Sequence, residues 1–265
     1  VGGTTGNIAN NLQDCSGECG GDAEVDDCSV CAGDNSTCCT DIAADEYFVG
    51  SPAICEYTNT LALHEGANLV SFWVLPDNSS LSPMFDSIYD TIDGMIGEGV
   101  AASPNPVLGW VGSLQEIDPL DGYWLKVNED IFFTFTGTQL TPSDTPYELH
   151  SGANLISFPY MGECAIADAI PDDFEPYIVG IISEGVAAAP VPELPSGWAG
   201  SLTEFQGGKG YWVKTEIPLE FNFDISNCSN SLSRSNDFAI AEDFNQSTEQ
   251  AFYFIEHIEN IEFGD

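Results

Sequence analysis

Two short segments, GYWLKV (122–127) and GYWVKT (210–215), each place a lysine two residues after a tryptophan, in a chain whose 265 residues include only 4 Lys and Arg. An ammonium beside an aromatic ring has two chemistries open to it. It can lay its stem over the ring and meet a carboxylate as an ion pair, or, in a dry site with an acid that moves protons, form an amide crosslink to Asn or Asp. Glu98 in GEGVAA and Glu184 in SEGVAA recur with the lysines in glycine-flanked stretches that read as strand. The expected pairs are therefore Lys126 with Glu98 and Lys214 with Glu184. Strand alternation puts Tyr211 and Val213 on one face and Trp212 with Lys214 on the other, and Trp124 with Lys126 falls likewise. Trp124 and Trp212 are candidates to stack on a sugar ring, with sheet-face packing as the competing use.

The cysteines carry the second chemistry. Cys15, Cys19, Cys28, Cys31, Cys38, Cys39 and Cys55 crowd a Gly-, Asp-, Ser- and Asn-rich start with few core-forming residues. Such a segment needs staples, so disulfides are the expected use and imply an oxidising surrounding. Zinc on Cys15, Cys19, Cys28 and Cys31 and redox chemistry at CSVC compete, but the first pair is CxxxC and no strand-to-helix junction frames the second. Cys164 and Cys228 are placed to close the second half. Nine is an odd number, which leaves one thiol free or paired between chains. Asp22, Asp26, Asp27 and Asp34 form a candidate calcium set without a complete DxDxDG loop. No cofactor is expected beyond calcium on that incomplete set.

His64 and His150 stand at matching positions before GAN, which points to a shared role in the fold; His257 stands alone. No GxSxG, HExxH, Walker loop or Rossmann glycine pattern occurs, so the chain is not expected to be an enzyme. The sequons at Asn35, Asn78, Asn227 and Asn245 satisfy the glycan acceptor rule.

These residues are positioned by a repeat. LALHEGANLVSF (61–72) matches YELHSGANLISF (147–158) with an offset of 86, and GWVGSL with GYWLKV matches GWAGSL with GYWVKT at an offset of 88. Each copy reads as a strand, a short helix near SPMFDSI or AIADAI, then strands near GEGVAA, in GWxGSL, in GYWxK and in FFTFTG or LEFNF. The expectation is a mainly β protein. It has a disulfide-rich connector (1–56), two homologous β-sandwich or small-barrel domains (57–141 and 142–227) with one short helix each, and a linker with terminal strands (228–265).

The charge narrows the partners. With 43 Asp and Glu the formal net charge is −39, which repels nucleic acid and anionic membranes and suits a salty or calcium-containing medium. No apolar run approaches the ~20 residues of a membrane span. The chain starts at Val1 without a leader and reads as a processed or excerpted product.

CGGD followed by CSVCAGDNSTC resembles the cysteine-rich connectors between domains of large secreted proteins, also found in extracellular matrix metalloproteases outside their catalytic domain. The GANLISF and GKGYWVK repeats resemble those of large secreted surface proteins of marine bacteria, and FNQSTEQAFYF is similar to the opening of a further module in the same proteins. The resemblance implies an extracellular or cell-surface location and a β architecture. Terminal strands without partners suit pairing with a neighbouring module or subunit. The functional expectation is a secreted structural protein, self-associating through its termini into a filament, surface layer or adhesin stalk. The alternative is a glycan-binding or surface-anchoring module.

Overall fold

The structure, a computed structural model, describes residues 14–16, 22–25, 28, 30–32, 39, 44–45, 55–139, 146–194 and 196–228. The chain divides into two units, Val1–Leu232 and Ser233–Asp265, the second of which lies outside the described residues together with the terminal strands expected there and His257.

The described residues are mainly β. The first half contains β1 (Glu56–Leu63), β2 (Gly66–Ser71), β3 (Val74–Leu75), α1 (Leu81–Phe85) with a 3-10 turn (Asp86–Thr91), β4 (Ile92–Gly97), β5 (Val100–Asn105), β6 (Gly109–Gly112), β7 (Gly122–Val127) and β8 (Ile131–Gln139). The second contains β9 (Tyr147–Leu149), β10 (Gly152–Ser157), β11 (Glu163–Ala165), α2 (Ile166–Ala169), a 3-10 turn (Glu175–Tyr177), β12 (Ile178–Ser183), β13 (Val186–Pro190), β14 (Trp198–Gly200), β15 (Glu204–Gln206), β16 (Gly210–Thr215) and β17 (Leu219–Phe221).

Two five-stranded antiparallel sheets, β2-β7-β4-β5-β6 and β10-β16-β12-β13-β14, have the same strand order. Both carry a register shift at the same place, between Ile92 and Gly94 and between Ile178 and Gly180. The halves differ in their smaller sheets. In the first, β8 lies between β1 and β3; in the second, β17 pairs with β9 while β11 pairs with β15.

Alternation explains which face is buried. In β7, Tyr123, Leu125 and Val127 enter the first core while Trp124 is half-buried and Lys126 exposed on the other face, as the period of two requires. In β8, Phe133 and Phe135 point inward, and the outward Thr134 hydroxyl meets that of Thr60 on β1 at 2.8 Å. The first core thus joins residues of the three-stranded and five-stranded sheets, with Phe85 of α1 stacked on Phe133 at a centroid distance of 5.2 Å. A second core gathers Tyr147, Phe158, Phe205, Tyr211, Phe221 and Phe223, where Phe158 stacks on Phe205 at 5.5 Å.

The glycine of GWxGSL has a steric cause in both halves. Gly112 and Gly200 have φ of +150° and +139°, and a Cβ there would sit 2.1 Å from the carbonyl oxygens of Ala101 and Ala187 on the neighbouring strand.

The matched tryptophans are secured differently. Trp198 donates its indole N–H to Glu175 at 2.6 Å. Trp110 instead has the edge of Tyr89, at a centroid distance of 5.9 Å, and its buried indole N–H has no partner. Tyr89 and Glu175 stand 86 residues apart, the offset that holds at the following Ile92 and Ile178. Glu175→Ala therefore strands a part-buried donor and is expected to cost about 1–3 kcal/mol, read as a lower urea midpoint with unchanged slope, whereas Glu175→Gln retains most of that stability.

Sulfur ties the ends to the cores. Cys15–Cys31, Cys39–Cys55 and Cys164–Cys228 are disulfides with Cα separations of 5.4, 4.9 and 4.6 Å, and Cys28 is also disulfide-bonded. Cys15, Cys28 and Cys31 are therefore not free to act as zinc thiolates. Cys19 and Cys38 lie outside the described residues. Cys39 and Ala44 are buried in the first core, and Cys55 packs against it.

Candidate functional site

The densest polar chemistry among the described residues lies where the two halves meet, and the GAN segments build it. Asn68 is only 3% exposed; its Oδ1 accepts the His64 backbone N–H at 2.9 Å and its Nδ2 donates to the carbonyls of His64, Gly66 and Leu125. Asn154 repeats the arrangement with His150, Gly152 and Val213. Each asparagine thus folds the HxGAN turn onto the start of its strand and fixes where the imidazole points.

Each imidazole then reaches the opposite half. His64 Nε2 lies 2.5 Å from Glu184 Oε1, and His150 Nε2 lies 2.5 Å from Glu98 Oε1. The second carboxylate oxygens accept backbone amides: Leu69 N–H donates to Glu184 at 3.1 Å, and Leu155 N–H to Glu98 at 2.8 Å. On the far side of each ring, Nδ1 meets the carbonyl of the next residue, Glu65 at 2.8 Å or Ser151 at 2.9 Å. A carbonyl only accepts, so Nδ1 carries a hydrogen, and the Nε2–carboxylate contact needs a second. Both imidazoles are raised above their usual range. For His64, burial works downward but is outweighed by the hydrogen bond to Glu184 and the contact with the Glu65 carbonyl. For His150, the hydrogen bond to Glu98 is the main cause.

Backbone contacts repeat the same two-fold relation. Val70 bridges to Lys209 and Ile156 to Asp121. Ser71 N–H donates to Gly208 O at 3.0 Å, and Ser157 N–H to Leu120 O at 2.8 Å. β2 and β10, each at the edge of its five-stranded sheet, are thus covered by the other half. Leu69 and Leu155 are 1% and 2% exposed yet belong to neither core; they are buried where the halves meet.

The fit leaves no room beside them. A Cβ on Gly122 would lie 2.8 Å from both Ile156 O and Leu155 Cδ1, and one on Gly210 would lie 2.8 Å from Val70 O and 3.1 Å from Leu69 Cδ1. This accounts for the glycine that opens GYWxK in each copy. Gly122→Ala or Gly210→Ala is expected to push the halves apart and cost about 1–3 kcal/mol, seen as a thermal midpoint roughly 2–10 °C lower. Gly99, which has a φ of +72° and open space around it, serves as the control; alanine there meets no neighbour and costs only the backbone preference, about 1 kcal/mol.

The expected pair of Lys126 with Glu98 is not formed. Lys126 Nζ meets Asp93 Oδ2 at 3.1 Å, not Glu98. Glu98 and Glu184 sit in the two-residue turns between β4 and β5 and between β12 and β13, not inside a strand. Lys126 lies opposite Gly94, four residues before Glu98 and roughly 13 Å away along the strand. The turns instead carry both glutamates across to the histidines. The Lys126–Asp93 pair is exposed at 60% and 41%, a surface contact worth at most about 1 kcal/mol. Lys214 lies opposite Gly180, and Val179 stands where the first half has Asp93.

Trp124 and Trp212 are half-buried on the sheet faces turned away from the cores, in register with Leu69 and Ile96 and with Leu155 and Ile182. Asp22 is exposed, while Asp26, Asp27 and Asp34 lie outside the described residues. Among the described residues, no group of three or more His, Cys, Asp or Glu is placed to hold a metal ion, and no helix is long and apolar enough to cross a membrane. A cavity of about 150 Å³ is lined by Trp73, Pro76, Ile117 and Pro119 in the first half.

Sequence reasoning missed Asn68 and Asn154, although a polar residue recurring between apolar ones in both copies was the available signal. It also missed that Asp121 and Lys209 occupy equivalent positions, offset by 88, with opposite charge. Comparison with protein-family models, with curated proteins and with solved structures finds no match.

Proposed function

We propose that the chain is a secreted structural module: two homologous β-sandwich domains locked into one stiff block, stapled by disulfides, and assembling through residues 1–56 and 228–265 into a filament, surface layer or adhesin stalk. The observation that carries this reading is the reciprocal contact between the halves. Both histidines and both repeated glutamates are spent on holding one copy against the other, which makes stiffness the property the duplication delivers. The disulfides are consistent with an oxidising extracellular setting, and a charge of −39 favours one rich in salt or calcium. The test uses the whole chain in seawater-strength salt with calcium, followed by sedimentation and electron microscopy. Extended polymers are expected, and a strict monomer at every concentration overturns self-assembly.

A glycan-binding or anchoring module is the second reading, favoured by the half-exposed Trp124 beside the 56%-exposed Ile96 on one sheet face. A glycan array compares the native chain with Trp124→Ala and Trp212→Ala. Ligand binding that vanishes in the variants would replace the scaffold reading with this one.

A further inference from the structure

The inter-half contacts are two-fold related in geometry but not in charge. His64 is faced by Glu184 from the β12–β13 turn and by Lys209 just before β16, whose ammonium opposes a charge on the ring. His150 is faced by Glu98 from the β4–β5 turn, and no cation stands against it among the groups that perturb it. The position equivalent to Lys209 is Asp121, which interacts with Glu98 and Asp118. One contact thus has a lysine acting on its imidazole, the other an aspartate acting on its glutamate.

We propose that the two contacts form a proton-gated clasp between the halves, closed while each imidazole carries hydrogens on both nitrogens and released in two steps as the pH rises, His64 before His150. Loss of the Nε2 hydrogen turns a charge-assisted bond into a lone pair facing a carboxylate, and the same carboxylate holds the edge amide of Leu69 or Leu155. Opening therefore loosens the covered edges of β2 and β10.

The sign follows from the direction of the shifts. A group raised in the folded state contributes stability fully present below its unfolded value and lost as pH rises through the folded one. For both histidines that window opens at the ordinary value of 6.5 and extends upward. Asp121, raised to about 6 by burial with help from Asp118 and Glu98, loses its contribution between 3.8 and about 6. Its window lies below that of the imidazoles and is separable from it.

The experiment follows the imidazole nitrogens of the 15N-labelled full chain by NMR while amide exchange is read at Leu69 and Leu155. Both rings are expected to be doubly protonated at pH 6.5, with His64 titrating first and His150 last. Protection at Leu69 and then Leu155 should fall about tenfold, beyond the intrinsic pH dependence of exchange. Two exposed or half-exposed charge exchanges test the order while keeping both histidines and both glutamates: Lys209→Asp should move the His64 midpoint up, and Asp121→Lys the His150 midpoint down, by roughly half a pH unit each. A midpoint at or below 6.5 for either ring overturns the proposal, as does titration with unchanged amide protection. Simultaneous release that ignores the charge exchanges overturns the two-step order.

Discussion

Replacing Asn68 and Asn154 together by alanine is expected to unfold the protein at room temperature. Each side chain is nearly fully buried and holds three backbone groups of its HxGAN turn, one through Oδ1 and two through Nδ2, and Nδ2 also meets a carbonyl of the neighbouring strand, Leu125 or Val213. Alanine leaves a donor and several carbonyls unpaired in or near the interior, at about 1–3 kcal/mol for each group that water cannot reach. With solvent satisfying some of them, about 3 kcal/mol per site is the expected loss. The two asparagines share no hydrogen-bond partner, so the losses add to about 6 kcal/mol, comparable with the whole stability of an ordinary domain. Circular dichroism in urea should show each single variant folded with a lowered midpoint and the double variant unfolded without denaturant. A double variant that keeps its midpoint within about 1 kcal/mol of the native chain would show that the turn holds without its asparagine. Asn→Asp gives no rescue, because it keeps the acceptor, loses the donors and buries a charge.

The Cys164–Cys228 bridge is the second large lever. It closes a loop of 64 residues that spans nearly the whole second half, from β11 to just past β17. Loop-closure entropy assigns about 4 kcal/mol to a bridge of that span. Cys39–Cys55, with a separation of 16, is worth about 3 kcal/mol by the same reasoning. The double serine variant at 164 and 228 should therefore lose more than the one at 39 and 55, with a thermal midpoint roughly 8–16 °C lower. Phe221 and Phe223, which meet edge to face in the second core a few residues before Cys228, are expected to become the first protected amides to exchange. Equal losses for both variants would mean that the longer loop already retains structure when unfolded.

How much of this was legible in the sequence depends on the range of the interaction. The alternation in GYWLKV told which side chains of β7 enter the core, because period two is a local property of any strand. The offsets of 86 and 88 told that two segments repeat, and the short helices appear where SPMFDSI and AIADAI stand. The site was legible in its members but not in its pairing. Glu98 and Glu184 were singled out because they recur with the lysines, whereas both meet histidines and Lys126 meets Asp93. Each glutamate sits in a turn whose outward reach is invisible to strand periodicity, and its imidazole lies in the other copy, 52 or 120 residues away. A two-fold relation pairs residue i of one copy with residue j of the other and j with i, so the duplicated histidines were the clue to it. The difference between Asp121 and Lys209 needed that relation before it meant anything.

The cover over β2 has a consequence for the order in which the chain is made. Leu69 receives its carboxylate from a residue 115 positions later, so on a ribosome adding about 5–20 residues per second the first half waits roughly 6–23 s with that edge bare. Such an edge is a template for aggregation in the crowded space outside the exit tunnel. The half that emerges first is also the one whose nine-residue β8 is flanked on both sides, by β1 and β3, and whose core takes in Cys39 from upstream. The half made second, with its three-residue β17, arrives to a surface already in place.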